Sequence, residues 1–171
     1  MRTEFTPLTL SRAAGASRRI GDAQAVTVAS PVGALTLAER GGRIVSVSWG
    51  QNMNGGAATP LLAEAARQLE AYFTGRLRRF DLPLDPAGSA FQRGVWAAME
   101  AIPYGATRSY GEIASELASA ARAVGGACGR NPIPVIIPCH RVLAAGRRLG
   151  GYSGAGGLAT KRALLALEGA I

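Results

Sequence analysis

One histidine, two cysteines and a single lysine in 171 residues exclude a good deal before any motif is considered. Two cysteines and one histidine cannot furnish the four ligands of a structural Cys/His zinc site, and no CxxC pair is present, so no metal and no other cofactor is expected. Cys128 and Cys139 are close enough in sequence to consider a disulfide, but free thiols are expected in a reducing compartment. No stretch approaches the roughly 20 apolar residues of a membrane span. Residues 1–21 lack the apolar centre of a secretory signal, which points to a cytoplasmic chain with no membrane partner.

What is abundant is arginine. Eighteen arginines and the one lysine face 11 acids, giving a formal charge of +8 and a pI near 10.7. Such a balance suits a polyanion such as nucleic acid, although a solvated basic surface produces the same number. A hydrophobic content of 48% supports a proper core in one ordinary domain or two small ones.

The pattern along the chain is α/β of the α+β kind: a small antiparallel sheet with a helix, followed by a mostly helical half. Residues 1–21 show no periodicity and are taken as a loose N-terminal leader. Residues 22–88 form the first domain. "QAVTVASPVGALTLAERGGRIVSVSWG" alternates, with turns at Pro31-Val32-Gly33 and Gly41-Gly42, and predicts three strands in hairpins. Thr59 caps a helix with Pro60 in its first turn and Leu62, Ala65, Ala66, Leu69 and Phe73 on one stripe, stopping at Gly75. "RRFDLPLD" is a strand or extended connector, and residues 85–89 a linker.

Residues 89–171 form the second domain. Ser89 with Gln92, and Ser109 with Glu112, match the capping box, in which a hydroxyl caps the third amide and the acid or amide side chain returns the bond. The first of these helices is expected to bury Phe91, Val95, Met99 and Ile102. Ser119 is expected to cap a third helix a bend away from the second, which suggests a helix-turn-helix. That helix is poor in bulk: Ala121, Ala123, Gly125, Gly126 and Gly129 flank the one long side chain of Arg122. Each internal glycine costs about 1 kcal/mol against alanine, so small residues are bought for close approach, to another helix or to a DNA groove.

"PIPVIIP" follows Asn131, and three prolines remove three amide donors, so a rigid buried extended segment is expected to deliver Cys139. The Asn131 amide can tie helix to segment, or merely cap a turn. His140, adjacent to Cys139, can serve it as a base only across a water molecule, because neighbouring side chains diverge. Glu168 sits in the last turn of a helix starting near Leu158, at the negative end of its dipole, and a histidine partner would offset that cost. A small buried cysteine and a solvated terminal glutamate are the alternatives.

"PCHRV" at 138–142, with "GRNPIPVII" before it and "GYSG" and "LLALEG" after it, resembles the O6-alkylguanine-DNA alkyltransferases, as do "FQRGVW" and "IPYGATRSYGEIA". The resemblance covers residues 89–171; the first domain shares its layout and "SPVGALTL". It implies DNA repair by direct reversal, in which an alkyl group passes irreversibly from O6-alkylguanine in double-stranded DNA to Cys139. His140 is then the water-linked base, Glu168 its orienter, and Asn131 the link between recognition helix and active-site turn. The small face of Ala121, Ala123 and Gly125 enters the minor groove, and Arg122 fills the space left by a flipped nucleotide. Tyr110 rotates the phosphate and donates toward the base, while Val142, Tyr152 and Ser153 hold the guanine. The protein would act as a monomer, singly or cooperatively along DNA.

Two departures stand out. "YSGAGGL" carries two more residues, Ala155 and Gly156, than the usual "YSGGL", and the link between the two helices is short. The rival reading is a non-catalytic relative that binds alkylated DNA and recruits other repair factors; such relatives replace the acceptor cysteine, which is present here.

Overall fold

The structure, a computed structural model, describes residues 23–50 and 58–171. The expected leader therefore lies outside the described residues.

Three strands, β1 (Gln24–Val28), β2 (Leu35–Arg40) and β3 (Arg43–Trp49), form an antiparallel sheet in chain order, as their alternation predicts. Gly41 and Gly42 both take positive φ, the conformation a two-residue hairpin turn requires. A bulge at Ala38/Glu39 adds local twist. Helix α1 (Pro60–Phe73) is capped by Thr59, whose hydroxyl accepts from Leu62 N, and it packs on the sheet with Leu62, Ala65 and Leu69 buried. Each such aliphatic side chain contributes about 1.5–3 kcal/mol when taken out of water.

The segment after α1 is a connector with one bridge, Ile44 to Leu84, rather than a full strand. Gln68 fastens it by bonding both backbone groups of Asp81 at 2.9 Å. Val47 N donates to Pro132 O at 2.9 Å, so the free edge of β3 is covered by the C-terminal half. One continuous apolar core runs from β1 to α5 (Leu158–Leu167).

Helices α2 (Ala90–Glu100) and α3 (Tyr110–Glu116) start on the two capping boxes, both of which are formed. Val95, Met99 and Ile102 are buried, but Phe91 is 37% exposed: the apolar stripe continues one turn past the core that covers it. Ser119 does not cap α4 (Ala121–Gly129). Its amide closes back on Ala114 O at 2.8 Å, Ala118 takes φ 48°, and Ala120 becomes an N-cap without a side-chain bond. Ser119 is thus spent on ending α3. Trp96 Nε1 donates to Ala127 O at 2.9 Å, holding α2 against α4.

The segment 132–138 is buried but not extended. Ile137 N donates to Ile133 O at 2.9 Å, Pro134 bridges Ile137, and Val135 sits at φ 73° with no exposure. A β-branched residue is strained there, so the core must impose the turn that the prolines alone do not specify. A two-residue parallel pair, β4 (Arg108–Ser109) with β5 (Val142–Leu143), then brings the start of α3 beside the chain leaving the Cys139 turn.

Candidate active site

Cys139, His140 and Arg141 make a single 3-10 turn, closed by Arg141 N donating to Pro138 O. All three are buried, and their side chains diverge. His140 points away toward the end of α5, where its Nε2 lies 2.8 Å from Glu168 Oε1. Its Nδ1 is buried and meets no hydrogen-bond partner among the described residues.

Glu168 occupies a cage. Tyr72 donates to Oε1 at 2.6 Å, Arg141 donates to both oxygens at 2.9 Å, and Gly105 N reaches Oε2 at 3.3 Å. A side chain at Gly105 would meet Glu168 O at 3.0 Å, and φ +78° favours glycine there as well. Burial alone would raise the carboxyl, but the bonds from His140, Arg141 and Tyr72 outweigh it and hold it down at about 2. Glu168 is therefore a fixed anion. It shares the Nε2 proton of His140, while burial opposes a charge on the ring, which leaves a neutral imidazole with its Nδ1 lone pair free.

Burial pushes the Cys139 thiol up as well; the Asn131 amide, the Lys161 ammonium and the Tyr152 hydroxyl pull it the other way. Asn131 joins the end of α4 to the active-site turn, donating to Ile137 O at 2.8 Å and accepting from Ile133 N at 3.0 Å. Tyr110, at the start of α3, lies against Gly125 of α4 and beside the thiol; burial and the two cysteines raise its hydroxyl to about 12. Tyr152 is half-buried next to Cys139, whereas Ser153 is exposed. Ala155 and Gly156 are exposed too, in the turn that leads into α5, with Thr160 Oγ1 donating to Ala155 O at 2.5 Å. On α4, Ala121, Arg122 and Ala123 face solvent, and Gly125 is half-buried.

Three residues of the cluster escape the sequence patterns. Lys161 is fully buried and donates to Val142 O at 2.6 Å and Gly151 O at 3.2 Å. Arg141 pairs with Glu168, and Tyr72 arrives from α1. Lys161 alone carried a signal: in a chain that otherwise uses arginine, it is the only lysine. Cys128 is a buried free thiol packed against Met99, near enough to Cys139, Lys161 and Tyr110 to share their electrostatics.

Two family models match in tandem: the 6-O-methylguanine DNA methyltransferase ribonuclease-like domain over residues 26–86, and the DNA binding domain of the same name over 90–170. The methylated-DNA--protein-cysteine methyltransferase of Mycolicibacterium paratuberculosis is 51% identical over 150 residues, 83% of this chain and 90% of that one. The constitutive enzyme of Bacillus subtilis is 43% identical over 140 residues, 75% of this chain and 85% of that one. Among solved structures, Mycobacterium tuberculosis OGT in complex with DNA superposes with a TM-score of 0.77 at 47% identity, covering 84% of this chain and 91% of that one. A Methanococcus jannaschii O6-methylguanine DNA methyltransferase follows the same fold at 28% identity and TM-score 0.63, covering 84% of this chain and 93% of that one. With both halves matched in order and a caged glutamate, a histidine and a buried thiol in one cluster, the chain belongs to the methylated-DNA–protein-cysteine methyltransferase family.

Proposed function

We propose that Cys139 is the alkyl acceptor, with His140 as its base and Glu168 as the anion that orients the base. The protein repairs DNA by direct reversal, moving an alkyl group from the O6 of guanine to one of its own cysteines. The observation that carries this assignment is the division of the His140 ring: Nε2 is committed to Glu168 at 2.8 Å, and the buried Nδ1 is left to accept a proton. One bridging water takes the thiol proton to it, which answers the adjacency that forbids direct contact.

The thiolate then attacks the alkyl carbon. The S–C bond forms as the C–O6 bond breaks, and the departing guanine takes up one proton, so an S–H is exchanged for an N–H. Tyr110 supplies the hydrogen bond toward the base, since its raised hydroxyl stays protonated at neutral pH. Val142 O keeps a second lone pair for the guanine amino group while Lys161 holds the first. The thioether product has no route back, so each molecule acts once.

DNA enters by the outer face of α4. Its exposed Ala121 and Ala123 admit the walls of a minor groove about 6 Å wide, and the exposed Arg122 fills the stack from which the guanine is flipped. The protein works on duplex DNA in the cytoplasm, as a monomer.

The test is to mix the protein with a duplex holding one O6-methylguanine and locate the methyl group by peptide mass spectrometry. One methyl group per chain on the Cys139 peptide is expected, with none transferred by Cys139→Ala although it still binds the duplex. Tight binding without methylation of the native chain would replace this reading with the recognition-only one.

A further inference from the structure

Two aromatic residues of the N-terminal half reach the site in the C-terminal half. Tyr72 is accounted for by its bond to Glu168. Trp49, the last residue of β3, has no such role in the relay. Its indole is pinned to the sheet, with Nε1 donating to Val32 O in the β1–β2 turn at 3.1 Å. Its other edge meets Tyr152: the ring centroids lie 6.2 Å apart with the planes at 86°. The two rings close over Gly154, where a Cβ would fall 2.4 Å from Tyr152 Cε1 and 2.8 Å from Trp49 Cη2. The loop over the thiol is therefore clamped from the sheet at a position where any Cβ would force a ring to shift.

Held this way, the Tyr152 hydroxyl is buried and makes no hydrogen bond among the described residues. It lies beside Cys139, near enough that each group shifts the other's titration. Leaving a buried hydroxyl unpaired is costly, so an arrangement that tolerates it needs a state in which the donor is used. A thiolate is a far stronger acceptor than a thiol.

We propose that Trp49 is a positioning residue for the transfer: its sheet-anchored indole holds the Tyr152 ring so that the hydroxyl donates to the Cys139 sulfur as it becomes a thiolate. Tyr152 keeps its proton throughout, because burial and the neighbouring sulfur both push its hydroxyl far up. The stabilisation is aimed at charge that exists only during reaction, and it disappears in the thioether, a weak acceptor. The N-terminal half thereby tunes the nucleophile although it supplies neither the nucleophile nor the base. This inference rests on Cys139 being the acceptor.

The experiment uses the full chain and two readouts: the pH dependence of iodoacetamide modification, read on the Cys139 peptide, and single-turnover transfer from an O6-methylguanine duplex. Tyr152→Phe should move the midpoint of the Cys139 pH profile up by about one unit and slow transfer at neutral pH about 10-fold. Trp49→Ala should move it the same way by about half as much, and Trp49→Phe, which keeps a ring but loses the bond to Val32, by less. Should Trp49→Ala fail to fold, Gly154→Ala, which forces the rings apart, must give the upward shift. An unmoved midpoint in Tyr152→Phe overturns the proposal, and so does a slower Trp49→Ala with an unmoved midpoint, since that is mere support of the fold. Failure of the acceptor assignment shows separately, as methylation of the native chain at a residue other than Cys139.

Discussion

Glu168 and the outer face of α4 belong to the same half of the chain and are built in opposite ways. The carboxylate is gripped by Tyr72, His140, Arg141 and Gly105 with no side-chain exposure. The helix face presents Ala121, Ala123 and Gly126, with Arg122 projecting between them. A buried charge is stable only if its bonds are complete, so the chemistry is secured by excess. The proposed DNA face is instead secured by omission, and its glycines forgo helix propensity. The difference predicts that the two regions will respond oppositely to mutation: the cage in stability and rate together, the helix face in DNA binding with stability untouched or improved.

The largest effect is expected at the cage. Glu168→Gln leaves Arg141 buried without its anion and should cost about 3–5 kcal/mol in urea unfolding, with loss of transfer. A loss under 1 kcal/mol would show that the cage is looser than its distances imply.

Acid should act next. Folded His140 resists protonation, while in the unfolded chain it takes a proton below about its ordinary value of 6.5. Glu168 stays ionised in the fold to about 2 but protonates near 4.5 when unfolded. In both cases the unfolded state binds more protons, so stability should fall as pH drops from 7 through 6 and again below 4.5. A urea midpoint flat between pH 7 and 5 would contradict the neutral buried ring.

On the helix face, Arg122→Ala should slow repair of a duplex about 10-fold more than reaction with free O6-alkylguanine, without lowering the melting temperature. Equal losses on both substrates would move Arg122 from extrusion to the pocket. The smallest effect is Gly126→Ala. A Cβ there meets nothing nearer than Arg130 Nη1 at 3.8 Å, so the helix should gain about 1 kcal/mol while duplex affinity falls. Unchanged affinity would show that this face does not lie in the groove.

Features decided within a few residues were legible. The capping boxes at Ser89 and Ser109 involve partners three positions apart, and the Gly41-Gly42 turn needs only its own two residues. Ser119 was misleading for the same local reason, because a cap-forming residue can also close the helix before it. Phe91 fits the apolar period of α2, yet period says nothing of how far the core extends. The three prolines exclude a regular strand, but only packing around Val135 selects a turn over an extended run.

By itself the sequence determined the order of β1–β3 and α1–α5, the Cys139-His140 adjacency with its need for an intermediary, and the small face of α4, since each is set by neighbours along the chain. Tertiary structure decided that Tyr72 from α1 and Arg141 complete the Glu168 cage, that Lys161 holds Val142 O, and that Trp49 clamps Tyr152. Tyr72 and Glu168 lie 96 positions apart. No pattern of period two or three and six-tenths reaches that far; only burial in a shared core brings such groups within hydrogen-bond distance.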